Sequence, residues 1–498
     1  MLPLLAQAEI PDIAWLPLVP HMVMAGAAVL LLTIVSLAGG RLPKWFASAW
    51  TTAAGLGVMA TAIPVWIRVW RRGPHSTIAD SIGVDGFSVF IIVLLAATVI
   101  LTALIADGFL RREGVDGPAF YVLLMFSAAG GMTMAVADNL IVLFLGLEIL
   151  SLAVYVLVAM HLRRAESQEA GIKYFVLGAF ASAFLLYGIA LVYGATGSLN
   201  LYAIAGMVDD DLSDNGLLLA GMAMLLVGLG FKVAAVPFHA WTPDVYQGAP
   251  SPVVSYMAAG VKAAGFAALL RVFVGGFGGL AGDWQPVVFG LAVASLAVGS
   301  MLAIVQTDVK RILAYSSISH AGFILVGVQA ATDDGVSSVL FYLAAYAAMA
   351  IGSFAVITVV SGPGDEGAGI DGLRGLAARR PLLAAAFTVL LLSQAGIPFT
   401  AGFWAKFEVI SAAVDARSFW LAVIAMLAAV VAAFLYLRIV VAMFLDAPDA
   451  GAPRLRIPRS PALAIAIVVL FTLAFGVYPE PLLNLADDAL FNLWLTPR

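Results

Sequence analysis

Residues 228–250 read GLGFKVAAVPFHAWTPDVYQGAP. They close an apolar run that begins at Gly216, long enough to cross a bilayer core at about 20 residues per span. Yet the run carries Lys232 and then Pro237. Proline withholds a backbone donor and crowds the preceding turn, so the helix should kink or unwind there. Backbone freed at membrane depth is tolerated only inside protein or beside a water-filled cavity. A broken helix bearing a lysine therefore belongs inside a bundle of other spanning helices.

The rest of the chain supplies that bundle. Of 498 residues, 63% are hydrophobic and 11% charged, against roughly 45–50% and about 25% in soluble domains. So few charges cannot cover so much apolar surface in water. Runs of spanning length fall near 18–38, 46–70, 84–109, 119–136, 139–160, 172–194 and 216–237. They continue near 251–274, 286–306, 311–330, 336–361, 382–410, 418–445 and 461–478. This predicts an all-α polytopic membrane protein of about fourteen transmembrane helices. The run 382–410 is also interrupted, at GIPFTAGFWAKF (396–407), where Pro398 precedes Lys406.

Each break is the fourth helix of a five-helix block, which predicts two copies. An odd number of spans inverts the second copy relative to the first, as in secondary transporters whose ion sites lie at broken helices near the midplane. The expected organisation is a three-helix segment (1–117), a first repeat (118–280), an inverted second repeat (281–446) and a C-terminal helix with a short tail (447–498).

Loop charges bear on the helix count independently. Arg41 and Lys44, Arg111 and Arg112, Arg163 and Arg164, Lys310 and Arg311, Arg374 with Arg379 and Arg380, and Arg454 with Arg456 and Arg459 follow alternate helices. The intervening loops carry Asp138, then Asp209, Asp210, Asp211 and Asp214, then Asp283, then Asp333 and Asp334. This is the positive-inside pattern, and it puts both termini on the outer face. Arg71 and Arg72 depart from it, and Asp244 lies in a loop without a base.

Several function classes drop out. The net charge of −5 leaves no basic tract for nucleic acid, and the chain has no cysteine, so thiolate metal sites, iron–sulfur ligation and disulfides are excluded. The five histidines lack metal-ligand spacing, and no phosphate-binding loop or dinucleotide fingerprint is present. No metal and no cofactor held by this chain is expected. The segment Met1 to Pro20 lacks a basic start, so no cleaved signal peptide is expected.

Chemistry is left to a few charges where lipid-soluble helices should have none. Glu148 sits in LFLGLEIL (143–150), Lys232 before the first break, Lys262 in AAGVKAA (258–264), and Lys406 after the second break. A charge at the bilayer centre costs at least about 2.5–3.5 kcal/mol, so each needs a partner, water or a task. One structural Glu148–Lys232 pair with snorkelling lysines is the plainer reading. It fails by number, because three lysines face one central carboxylate. Desolvation favours a neutral amine and a nearby carboxylate favours the charged one, so such lysines suit a proton relay. Secondary candidates are Lys173, which is a solvated helix end or a modulator of Glu148, and His239, a water link or an interfacial cap. His320, in SSISHAG (316–322), could join the two halves. His21 reads as interfacial.

The run 230–250, with 396–407, Glu148 and the helix count, resembles the antiporter-like subunits of NADH:quinone oxidoreductase (respiratory complex I) and of Mrp antiporters, over nearly the whole chain. The resemblance implies that the family's glutamate falls on Glu148, its broken-helix lysine on Lys232, its central lysine on Lys262 and its exit-side charge on Lys406. Subunits of the M type are similar but have glutamate at the last position, and those of the L type extend through a long lateral helix; the N type is nearest. It further implies a bacterial inner-membrane complex in which NADH, FMN, iron–sulfur clusters and quinone are bound by other parts. Partners would be neighbouring membrane subunits, the hydrophilic redox arm indirectly, and lipid. A separate Mrp-type cation/proton antiporter subunit is the alternative.

Overall fold

In the computed structural model the described residues are 13–38, 41–115, 117–207, 215–362, 369–447 and 455–490. Asp209, Asp210, Asp211, Asp214, Arg454 and both chain ends lie outside them. The chain opens with α1 (Trp15–Ala38) and α2 (Phe46–Arg72), then a short antiparallel hairpin of β1 (His75–Thr77) and β2 (Ile82–Val84). There follow α3 (Gly86–Glu113), α4 (Pro118–Val136), α5 (Leu140–Val158), α6 (Ala165–Thr196), the short α7 (Leu201–Met207) and α8 (Gly216–Val233). After α9 (Trp241–Gly248), one continuous helix, Ser251–Gly276, contains α10 (Ser251–Tyr256) and α11 (Lys262–Leu269), each followed by a π-helical turn.

The second half comprises α12 (Ala281–Ile304), α13 (Val309–Ala330), α14 (Asp333–Val360), the short α15 (Ile370–Leu373) and α16 (Leu376–Arg379), then α17 (Pro381–Ala395) and α18 (Ala401–Asp415). It ends with α19 (Phe419–Leu445), α20 (Arg459–Val477) and α21 (Glu480–Asp488). Among the described residues thirteen helical segments are long and apolar enough to span a membrane. The interrupted pair α17–α18 occupies the remaining predicted span, so the helices fall where the hydropathy placed them.

Burial sorts these helices into layers. Ser251–Gly276, α13 and α14 are buried almost throughout and form the centre, as expected of helices apolar on every face. By contrast α1, α2, α6, α19 and α20 turn large apolar side chains outward, among them Leu37, Trp70, Phe180, Val430 and Leu470. Helix starts are set by polar caps at the membrane edge: Asp85 with Ser88 forms a capping box on α3, Asn139 caps α5, Asp308 caps α13 and Thr332 caps α14.

Several arginines at the base-rich end of the bundle close exposed helix carbonyls. Arg112 donates to Thr358 and Ser361 oxygens at the end of α14, both at 2.9 Å, and Arg438 donates to Ile304 and Gln306 oxygens at the end of α12. Positive charge there satisfies orphan carbonyls and opposes the helix dipole.

Both predicted breaks exist, and their freed backbone is satisfied inside the protein. The helix α8 stops at Val233, earlier than the expected 237, with Ala234 in the left-handed region. The Val236 amide then donates to Ser295 Oγ of α12 at 2.9 Å, and Trp241 Nε1 donates to the Phe231 oxygen at 3.2 Å. At the second break Gly396 takes φ +88°, a region glycine enters without steric penalty. The Gly402 amide donates to Ser393 Oγ at 3.0 Å.

Candidate functional site

Burial of Lys232, Lys262 and Lys406 follows from helix position: each lies on a face turned to the centre, with relative exposures of 4%, 2% and 6%. Lys232 Nζ donates to Ser151 Oγ of α5 at 2.8 Å and lies 3.5 Å from Tyr174 OH of α6. Lys262 Nζ, just after the first π-helical turn, donates to the Ser317 oxygen of α13 at 2.6 Å and faces the Tyr346 ring at 5.6 Å. Lys406 Nζ donates to the Ala395 oxygen, an open carbonyl at the end of α17, at 2.9 Å and faces the Phe323 ring at 4.7 Å. Among the described residues none of the three contacts a carboxylate. Carbonyls, hydroxyls and aromatic faces can hold an ammonium without fixing its charge.

Glu148 and Lys232 make no direct ion pair. Glu148 is only half-buried, on the flank of α5 that exposes Leu145, Ile149 and Leu152, and its Oε1 accepts from Ser182 of α6. Lys232 instead docks one turn further along α5, on Ser151, whose own hydroxyl donates to the Leu147 oxygen at 2.5 Å. The two charges remain within electrostatic reach. Beside Lys232 lies a void of about 10 Å³ where Ser151 and Ser182, the latter bonded to Glu148, join a mostly apolar lining, about the room one water takes. Sequence periodicity placed both residues on the right helices but could not set rotation about the helix axes.

Lys173 lies in the third turn of α6, not at its start, and pairs with Glu169 at 2.7 Å and Asp244 of α9 at 2.8 Å. Arg311 of α13 also reaches Asp244, at 2.8 Å, so the acid that lacked a base in its own loop has two from elsewhere. Burial tends to raise the Asp244 carboxyl, but hydrogen bonds from Lys173 and Arg311 hold it below the usual carboxylate range. Lys173, Glu169 and Asp244 line an open polar cleft of about 360 Å³ at the base-rich end, with Arg164, Gln247 and Asp308. Tyr174, next in sequence after Lys173, touches Lys232. Lys310, expected in a loop, is 1% exposed and donates to the Ala249 oxygen at 2.6 Å.

His239 sits half-buried after α8, its Nδ1 without a hydrogen-bond partner among the described residues, and is not joined to the lysines. His320 is 2% exposed and fully engaged. Its Nδ1 lies 2.7 Å from Tyr342 OH of α14 and its Nε2 3.2 Å from Tyr436 OH of α19. Tyr436 OH lies 2.5 Å from Ser316 Oγ, which donates to Gln394 Oε1 at 3.3 Å, and Gln394 Nε2 donates to Ser353 Oγ at 2.8 Å. Both Lys262 and Lys406 act electrostatically on His320. A set of buried polar groups thus spans α5, α8, the Lys262 helix, α13 and α18, in separate clusters around Lys232, Lys262, His320 and Lys406. Sequence reading missed its neutral members Ser151, Tyr174, Tyr342, Gln394 and Tyr436; tyrosines at Tyr342 and Tyr346, four apart on a helix otherwise apolar at its centre, were a usable signal.

A second charged cluster was also missed. Arg271, completely buried, donates to both oxygens of Asp85 at 2.8 Å, to Asp138 Oδ1 at 3.2 Å and to the Ala135 oxygen. It ties the end of the Lys262 helix to the start of α3 and the turn between α4 and α5. Among the described residues no group of three or more histidines, aspartates or glutamates is placed to hold a metal ion.

Residues 137–432 match the family described as NADH:quinone oxidoreductase/Mrp antiporter, TM. The chain is 43% identical over 412 residues to "NADH-quinone oxidoreductase subunit N 1" of Solibacter usitatus, covering 82% of this chain and 85% of that protein. It is 41% identical to the subunit N of Salinispora arenicola over 519 aligned residues, covering 97% and 99%. Its fold is similar to a chain of "Respiratory complex I from Thermus thermophilus with bound Aureothin", at 35% identity and a TM-score of 0.80, over 94% of this chain and 99% of that one. A chain of the Mrp complex from Dietzia shares the fold at a TM-score of 0.82 and 23% identity, over 95% and 97%.

Proposed function

The chain belongs to the NADH:quinone oxidoreductase/Mrp antiporter family, and from that premise we propose that it is the N-type, proton-translocating membrane subunit of an NADH:quinone oxidoreductase. The observation that carries the reading is the row of three lysines buried without carboxylate partners among the described residues, two of them beside broken helices. NADH oxidation and quinone reduction, with FMN and iron–sulfur clusters, take place elsewhere in the complex. Residues 118–280 and 281–446 act as two inverted repeats between the segments 1–117 and 447–498. The base-rich end faces the cytoplasm of a bacterial inner membrane, with both termini on the periplasmic side. Neighbouring membrane subunits and lipid surround the chain, and the redox arm is reached indirectly.

In this mechanism Glu148 is the input. Its half-exposed position lets a neighbouring subunit change the charge around it, and Ser182, Ser151 and one water's room connect that change to Lys232. Lys232 gains its proton from the cleft around Lys173 and Asp244 by way of Tyr174. When the field from Glu148 weakens, Lys232 gives the proton up toward Lys262, and His320 and Lys406 carry it to the far side. A buried amine serves here because small changes in nearby charge decide whether it holds its proton.

Glu148→Ala is expected to lower both NADH-driven quinone reduction and proton uptake in reconstituted vesicles, with the complex assembled. Normal turnover and normal uptake in an assembled Glu148→Ala complex would sink the coupling role. The rival reading, a separate cation/proton antiporter, rests on shared fold; co-purification of flavin and iron–sulfur subunits with the chain decides against it, and their absence decides for it. Orientation is tested on this cysteine-free background. Single cysteines placed beside Arg164 and beside Asp283 should react with an impermeant reagent from opposite sides, the first from the cytoplasm only. The reverse labelling would overturn the assigned direction of transport.

A further inference from the structure

The geometry points to Gln394 and Ser316 as positioning residues that fix the tautomer of His320, leaving Nδ1 as the atom on which it takes up a proton. The inference rests on the proton-carrying role proposed for His320. It follows from counting hydrogens along one branch of the network. A primary amide has an oxygen that only accepts and a nitrogen that only donates. Gln394 spends its nitrogen on Ser353 Oγ at 2.8 Å, so its oxygen faces Ser316 at 3.3 Å. Ser316 has one hydroxyl hydrogen, and Gln394 takes it.

The contact between Ser316 and Tyr436, at 2.5 Å, must then be a donation from Tyr436. Tyr436 likewise has one hydrogen and has used it, so toward His320, at 3.2 Å, it can only accept. Nε2 of His320 therefore bears the hydrogen. In the neutral ring Nδ1 is left with its lone pair, and Tyr342 donates to it at 2.7 Å. With the amide turned this way, Nε2 to Ser353 and Oε1 to Ser316, reversing the branch would leave the Gln394 oxygen buried and unpaired, which is costly, with Gln394 and Ser316 each 2% exposed.

The branch orients and does not conduct, because the amide oxygen that ends it has no hydrogen to pass on. His320 thus takes up its proton at Nδ1, on the Tyr342 side, where α14 meets α13. Three side chains from α13, α17 and α19 that carry no charge would give the central histidine its polarity.

The test reads the two ring nitrogens by 15N NMR of the assembled, histidine-labelled complex in lipid, with His320 isolated by difference against His320→Gln or, should that variant not assemble, His320→Asn. Wild type should show hydrogen on Nε2 and none on Nδ1. Ser316→Ala should shift the pair of signals toward the other tautomer, and Ser316→Thr, which restores the hydroxyl, should return them. Hydrogen on Nδ1 in wild type, or no shift in Ser316→Ala, would overturn the inference. The readout is taken at rest, so failure of the relay itself, seen as full proton uptake in an assembled Lys262→Ala complex, is a separate result.

Discussion

Arg271→Ala is expected to leave no stably assembled chain, as judged by native electrophoresis of detergent-extracted membranes. The guanidinium is the sole counter-charge in contact with two buried carboxylates, Asp85 and Asp138, among the described residues. Truncating it strands both, and breaking a buried pair by removing one partner commonly costs about 3–5 kcal/mol, a large share of the roughly 5–15 kcal/mol that holds a fold together. The two acids are not equivalent. Asp85 also caps α3 and meets one guanidinium nitrogen at 2.8 Å from both of its oxygens, whereas Asp138 meets another through one oxygen at 3.2 Å. Burial pushes the Asp138 carboxyl up to about 7 from 3.8; Arg271 offsets this in part, and Asp85 adds to it.

The sign for Asp138 follows from linkage. A carboxyl whose folded value is raised favours the fold when protonated, so its contribution is full below 3.8 and is lost as pH rises to about 7. Asp138→Asn removes that slope while keeping an acceptor for Arg271. It should assemble normally and resist heat inactivation at pH 7 at least as well as wild type. Normal assembly of Arg271→Ala, or collapse of Asp138→Asn, would show that the cluster is not held in this way.

That cluster also marks where sequence stops being legible. Spans and breaks could be read because hydropathy and proline act locally: the run ending at Lys232 and the run 396–407 each announce themselves within about twenty residues. The buried lysines could be read because a charge inside an apolar run is costly wherever its partner is. Arg271 falls at the end of an expected span beside Gly275 and Gly276, where a basic residue at the interface is ordinary, and Asp85 and Asp138 fall at helix starts, where acids are ordinary. Only the packing of three distant segments makes them one group. The contact of Lys232 with Ser151 was illegible for a related reason, since a rotation of α5 decides whether Glu148 or Ser151 meets the lysine. His320 was readable as a titratable group among hydroxyls, but Tyr342, Tyr436 and Gln394 come to it from helices that sequence cannot align.

Lys406→Arg should assemble and yet lose NADH-driven proton uptake by about 100-fold or more, the lower range for removing a positioned proton-transfer group. Lys406 sits where the break in the α17–α18 span exposes the Ala395 carbonyl, and its ammonium hydrogen bonds there at 2.9 Å. That single neutral acceptor, with the Phe323 face at 4.7 Å, stabilises the cation without a fixed negative charge, so the amine can release its proton and remain hydrogen-bonded. Arginine keeps the positive charge and can still donate to the carbonyl, but it does not deprotonate in a protein. Packing limits the comparison in one respect: a Cβ at Gly396 would meet Lys406 Cδ at 2.9 Å, so the stem is closely held and a forked head must reach past Gly396. Lys406→Met serves as the control for this, removing charge and proton while sparing the stem. If the site only needs a fixed cation, Lys406→Arg pumps at wild-type rates and Lys406→Met does not; if it needs a proton that leaves, both fail in vesicles while native electrophoresis shows both assembled. The second pattern is the one expected, because the break supplies a partner that holds the amine in either state.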